Sequence, residues 1–145
     1  SQVPQLGGVV TGPDCETGPN TTIDRGGPDD TVLEEDVRLD NQIQIGHNVR
    51  IGAHTAMAGC SAAAGSARIG RYCLVGGAAG VLGHLEICDR VVVTAMSLVT
   101  SSITEPGEYS SGTPLTDNRT WRKNAARFKQ LDALARRVLA ADKET

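Results

Sequence analysis

Aromatic side chains are nearly absent: the 145 residues include one Phe, two Tyr and one Trp. A compact globule of this length draws much of its core volume from such rings, so an ordinary globular core is disfavoured. No run of 18 apolar residues occurs, which argues against a membrane-spanning helix. No CxxC pair occurs either, and Cys15, Cys60, Cys73 and Cys88 stand singly in unlike contexts. Reduced thiols in a cytoplasmic protein are therefore expected, not a disulfide framework. There is no signal peptide, and the chain opens on Ser1 without Met, as a fragment or a processed chain would. Disorder does not fit, because 39% of the residues are apolar and they are spread evenly.

Charge of one sign is also missing, but only on average. The net charge of -3 conceals a split: residues 1–118 hold six Arg against fourteen Asp and Glu, a balance of -8. Residues 119–145 hold eight Lys and Arg against three acids, a balance of +5. An acidic body with a basic tail should attract an anionic partner at one end.

What the sequence does have is a period of six. Leu33, Leu39, Ile45, Ile51, Met57, Ala63, Ile69, Val75, Val81, Ile87, Val93 and Val99 recur without an insertion. Small or aliphatic residues lie four positions after each, from Val37 and Ile43 to Ser97 and Ile103. Six matches neither a helical stripe nor strand alternation. It matches a short strand plus a corner, three to a coil of eighteen residues. Gly and small residues after the inward position suit tight corners. A prism this narrow has no room for large rings, which accounts for their scarcity. An earlier register, Thr11, Thr17 and Ile23, slips by four before Leu33, so Gly27–Asp30 is expected to bulge from a corner.

The repeats end near Thr104. Glu105–Pro106–Gly107 reads as a turn, and residues 105–117 as a connecting loop. Asp117 or Asn118 then caps a single helix running to about Asp142, with Trp121, Ala125, Phe128, Leu131, Leu134, Ala135 and Val138 as its apolar stripe. The predicted architecture is all-β, with a β-helix over residues 1–104 and a helical segment over residues 118–145.

Eighteen residues per coil also fix the histidine positions. His47 stacks beside Gly65, and Asn48, Ser66 and His84 stack in a column. His47 and His84 thus share one edge, roughly 10 Å apart. An imidazole next to a glycine amide offers a general base and an oxyanion donor in one place. Asp40, seven residues earlier, is a candidate to hold the His47 Nδ1–H and set its tautomer. His54 faces another side and reads as a solvated corner residue, and Cys73 as core rather than nucleophile. Three nitrogen ligands for zinc are not assembled, so no metal site is expected.

Several segments together resemble one family. They are Thr22–Gly26, the run Leu39–Val49 (LDNQIQIGHNV), Gly76–Ile87 (GGAAGVLGHLEI), Ile103–Gly112 (ITEPGEYSSG) and Trp121–Lys123 (WRK). They look like the UDP-3-O-acylglucosamine N-acyltransferases of lipid A biosynthesis. The resemblance runs from about Val9 to Arg137 and implies a left-handed parallel β-helix of hexapeptide repeats, acting as a homotrimer. Such enzymes move an (R)-3-hydroxyacyl group from acyl carrier protein to the 2-amine of UDP-3-O-(3-hydroxyacyl)glucosamine. The donor group arrives on the carrier's phosphopantetheine, and no cofactor is permanently bound.

By that resemblance His47 is the general base, Asp40 orients it, and the Gly65 amide faces the oxyanion. His84, Asn41 and Gln44 are implied to contact substrate. Arg119, Arg122, Lys123 and Arg127 become candidates to meet the acidic carrier protein, with no nucleic acid as partner. The family carries an N-terminal uridine-binding domain before the point that matches Ser1. This chain departs from the family pattern at Ser101, where relatives carry Arg, at Thr11 and Thr17, and at Gly27–Pro28. Two other readings remain open: a hexapeptide-repeat O-acyltransferase acting on a sugar hydroxyl, and a non-catalytic trimeric scaffold.

Overall fold

A computed structural model describes residues 8–144, so the first seven residues of the expected β-helix lie outside the described residues. The chain divides into two compact units, one up to Gly112 and one from Thr113 onward. The first unit winds through short strands in three families. One sheet holds β1 (Val9–Thr11), β4 (Thr31–Leu33), β7 (Arg50–Ile51), β10 (Arg68–Ile69) and β13 (Glu86–Ile87). A second holds β2 (Glu16–Thr17), β5 (Arg38–Leu39), β8 (Ala56–Met57), β11 (Leu74–Val75), β14 (Val91–Val93) and β16 (Gly107–Tyr109). The third holds β3 (Thr22–Ile23), β6 (Gln44–Ile45), β9 (Ala62–Ala63), β12 (Gly80–Val81) and β15 (Leu98–Val99). Every pairing is parallel, and the strands wind into a left-handed β-helix of about six turns.

The register is the one the period predicts. Ile51 pairs with Ile69 and Ile69 with Ile87, steps of eighteen. Across the Gly27–Asp30 bulge the step is twenty-two, as Thr11↔Leu33 and Ile23↔Ile45 show. The bulge is tied down at its base, because Gly26 N–H and Thr31 N–H both donate to the Gly8 carbonyl.

All twelve residues of the six-residue series are buried. So are most of those four positions on, which include the polar Thr55, Ser61 and Ser97. Thr55 shows how a hydroxyl is accommodated there: it donates to the Gly70 carbonyl at 2.6 Å and accepts from Cys73 N–H at 3.0 Å. Among the described residues no buried side-chain polar atom lacks a partner. Cys73 is buried in this column, and desolvation pushes its thiol above the ordinary cysteine range. All four cysteines are free.

The corners differ from expectation in a telling way. The residue that turns the chain has a positive φ, and from Asp36 to Met96 it is never glycine. Asn and Asp tolerate that conformation, but Tyr72 (φ 55°) and Met96 (φ 59°) carry its steric cost. Glycine instead follows the inward residue, where coils approach closely. A Cβ on Gly52 would lie 2.5 Å from the Gly70 carbonyl carbon. Tight stacking, not backbone handedness, selects glycine in this repeat.

Two elements correct the expectation beyond Thr104. Gly107–Tyr109, assigned to the connecting loop, forms β16 on β14 with a step of sixteen. The Tyr109 hydroxyl donates back to the Glu105 carbonyl at 2.8 Å and closes this shortened turn. The single expected helix is two: α1 (Asn118–Phe128) and α2 (Leu131–Glu144). Asp117 is the N-cap, accepting from Thr120 N–H at 3.1 Å, and that bond lowers its carboxyl below the ordinary range. Neither Gly nor Pro marks the break at Lys129–Gln130. No residue of either helix is buried, and none of the described helices is long and apolar enough to cross a membrane.

Met96 tests the corner argument, because it is 78% exposed and has little packing to lose. Met96→Asn should raise stability by about 1 kcal/mol. In thermal unfolding that is a rise of about 3 °C in Tm.

Candidate active site

His47 follows from the local sequence of one corner. Ile45 points inward, Gly46 allows the next coil to approach, and His47–Asn48 turns the chain from β6 to β7. Asn48 takes the positive φ of 59°, which leaves His47 exposed on the edge. The next coil runs directly across the ring: a Cβ on Gly65 would sit 2.6 Å from His47 Nε2. The imidazole therefore occupies the space that any side chain at position 65 would need. The stacking deduced from the eighteen-residue step is present in full. Ser66 N–H donates to the His47 carbonyl at 2.8 Å, and His84 N–H to the Gly65 carbonyl at 3.1 Å. Among the described residues the Gly65 N–H has no hydrogen-bond partner. An unprotonated Nε2 at this position is a base beside a free amide donor.

Within one chain Asp40 and His47 are not brought together. Asp40 Oδ1 accepts from Asn41 N–H at 2.8 Å, and no hydrogen bond joins it to His47 among the described residues. Seven residues carry the chain along one whole side of the prism, so the two side chains leave from different corners. The group that meets His47 Nδ1 is Asn48 Oδ1, at 3.2 Å. The sequence reading placed Asn48 in a column with Ser66 and His84 but gave it no role. It is half-buried under the Gly27–Asp30 bulge, where its Oδ1 accepts from Gly27 N–H and its Nδ2 donates to the Asp29 carbonyl. Its own N–H donates to Thr31 Oγ1 at 2.8 Å. The available signal was an Asn in a turning position, one coil on from the only insertion in the register.

The other candidates divide between this corner and elsewhere. Gln44 is exposed on β6, the strand leading to His47, and its Oε1 accepts from Thr22 Oγ1 at 2.6 Å. Asn41 sits with Asp40 at the preceding corner, its carbonyl accepting from Cys60 N–H. His84 is exposed and lines an open groove of about 720 Å³. Arg50 and Arg68 line the same groove, with Asp29 and Asp30 of the bulge opposite. In the second unit Arg119, Arg122, Lys123 and Arg127 are all exposed on α1. Lys123 lies four residues from both Arg119 and Arg127, and Arg122 three from Arg119, which sets them along one side of that helix.

His54 is not the freely solvated residue expected. Its Nδ1 lies 2.8 Å from Asp36 Oδ2, and its ring stacks on Tyr72 at 4.8 Å. Arg90 then covers the Tyr72 ring at 4.5 Å, so one corner carries a column of Asp36, His54, Tyr72 and Arg90. The hydrogen bond with His54 holds the Asp36 carboxyl below the ordinary range, and Arg38 adds to the effect. Among the described residues no group of three His, Cys, Asp or Glu side chains is placed to hold a metal ion.

Coils of three hexads, with a corner imidazole set against a glycine of the next coil, define a hexapeptide-repeat β-helix. A solved structure of PerB from Caulobacter crescentus, in complex with CoA and GDP-perosamine, shares the fold with a TM-score of 0.51. It covers 72% of this chain and 54% of its own, at 19% sequence identity. No protein-family model matches the chain. Sequence relatives are far nearer: over 99% of its length the chain is 76% identical to the UDP-3-O-acylglucosamine N-acyltransferase of Xanthomonas oryzae pv. oryzae (strain MAFF 311018). The enzyme of that name from Hahella chejuensis (strain KCTC 2396) is 59% identical over 95% of the chain. The chain is thus a close sequence relative of the UDP-3-O-acylglucosamine N-acyltransferases, and it spans about 42% of the length of the Xanthomonas relative.

The Asp36 pair gives a pH test. A carboxyl depressed in the fold contributes stability in full above its unfolded value, near the reference 3.8, and loses it as pH falls through the folded value. Protonation of Asp36 removes the charged acceptor on which its contacts with His54 and Arg38 depend. Asp36→Asn should show a shallower loss of Tm than the wild type between about pH 5 and pH 3.

Proposed function

We propose that the chain carries the acyl-transfer centre of a UDP-3-O-acylglucosamine N-acyltransferase. The acceptor is the 2-amine of UDP-3-O-(3-hydroxyacyl)glucosamine, and the donor an (R)-3-hydroxyacyl thioester on the phosphopantetheine of acyl carrier protein. The observation that carries this reading is the His47 imidazole lying against Gly65 with the Gly65 N–H unengaged.

The chemistry follows from those two groups. The neutral amine attacks the thioester carbonyl while His47 Nε2 takes the proton it sheds. Negative charge grows on the carbonyl oxygen, and an amide donor fixed in advance stabilises it without reorganisation. The C–S bond then breaks, the electron pair leaves on sulfur, and the imidazolium returns its proton to the thiolate. No covalent enzyme intermediate is needed.

An exposed corner cannot enclose an acyl chain by itself. The working unit is accordingly a homotrimer, with each His47 edge faced by the adjacent subunit. In this reading Gln44 and His84, with Asn41 at the preceding corner, contact the sugar nucleotide or the donor arm. Arg119, Arg122, Lys123 and Arg127 form a basic row suited to steering an acidic carrier protein.

The test uses a chimera in which this sequence replaces the matching segment of the Xanthomonas oryzae enzyme. With acyl carrier protein donors, the product should be an amide at the sugar 2-amine, and His47→Ala should lower kcat by about 10²–10⁴-fold. Unchanged transfer by His47→Ala, or an ester product, overturns the reading. Gly65→Ala forces the ring aside and should cost about 10²-fold in kcat, with Tm nearly unchanged.

A further inference from the structure

We infer that Asn48 decides which nitrogen of His47 carries the proton, and so keeps the nitrogen facing Gly65 free to act as a base. This rests on His47 being the base, and it assigns the orienting role to a neutral amide on the same corner.

The argument turns on groups that have no choice. Gly27 N–H can only donate, and the Asp29 carbonyl can only accept. Both meet Asn48, at its Oδ1 (3.0 Å) and its Nδ2 respectively. Flipping the amide would set two donors against each other at Gly27 and two acceptors at Asp29, so the orientation of Asn48 is fixed. Its Oδ1 therefore faces His47 Nδ1 as an acceptor, at 3.2 Å. A neutral imidazole has one N–H, and only a protonated Nδ1 satisfies that contact. The lone pair is left on Nε2, the nitrogen against Gly65. Free histidine in water prefers the opposite tautomer, so this one is imposed by the fold.

The four-residue bulge supplies both locking groups, and it does so from the preceding coil. Thr31 Oγ1, at the exit of the bulge, fixes the Asn48 backbone as well. Asn48 is consequently a positioning residue, acting on the reaction only through His47.

Long-range ¹H–¹⁵N correlation spectra of the histidine-labelled chain test this without substrate, at a pH where the imidazoles are neutral. His47 is identified by the signals lost in His47→Gln. In the wild type its Nδ1 should be protonated and Nε2 bare. Asn48→Leu should return the ring toward Nε2–H, and Asn48→Asp, which keeps an acceptor oxygen, should retain Nδ1–H. A wild-type ring protonated on Nε2 overturns the inference, and so does Nδ1–H persisting in Asn48→Leu or lost in Asn48→Asp. Unchanged His54 and His84 signals show that a variant is folded. Should Asn48→Leu not fold, the wild type and Asn48→Asp decide.

In the chimera Asn48→Leu should lower kcat at least about tenfold with KM within about twofold, and Asn48→Asp should recover most of the loss. An unchanged kcat in Asn48→Leu also overturns it. If the tautomer is as stated but His47→Ala transfers normally, the functional reading fails alone. If His47→Ala is inactive but the wild-type ring carries its proton on Nε2, only the role of Asn48 fails.

Discussion

Everything in the first unit depends on the parallel hydrogen-bonded ladder between coils. Between the bulge and the last coil each strand residue sits on its equivalent eighteen positions away, so any choice made at one position is repeated along a column. Inward columns must interdigitate within a space three short strands wide, which favours Ile, Val, Ala and an occasional Thr or Ser. Corner columns must turn without lifting the coils apart. The chain meets that demand with a left-handed residue at each corner from Asp36 to Met96, even where the residue is Tyr or Met. The steric cost at a corner is small against the loss of stacking in both neighbouring coils.

Those same repetitions make the fold legible in the sequence. A period of six held for twelve hexads fixes the inward residues, and three hexads to a coil, as the family resemblance implies, then give the number of coils and the neighbours of His47. What was not legible falls where the period stops. Gly107–Tyr109 joins the ladder with a shortened step that no hexad announces. The interruption at Lys129–Gln130 has no residue that marks it. The glycines were read as corner residues because glycine usually serves turning backbones, whereas contact between coils selects them here.

The site was half legible for the same reason. His47 and Gly65 meet through the regular ladder, and arithmetic finds them. The partner of Nδ1 does not, because it depends on where a bulge from an earlier coil comes to rest. A carboxylate seven residues away looked suitable in type, but one side of the prism separates Asp40 from the ring. Asn48 is adjacent in sequence, held by three groups of the preceding coil, and uncharged. A neutral amide oxygen meets Nδ1 as an acceptor just as a carboxylate oxygen would.

The twenty-two-residue step across the bulge also bears on how such a chain can change length. Wherever the step is eighteen, one coil can be gained or lost by unequal exchange between repeats, and every remaining residue still finds an equivalent neighbour. The coil pair joined by the longer step has no such equivalent, since duplicating it would copy the bulge and the imidazole together, and deleting it would remove both. Growth and shrinkage by whole coils are thus confined to the stretches on either side, and the distance between the bulge and its histidine is held constant while the solenoid around them lengthens or shortens.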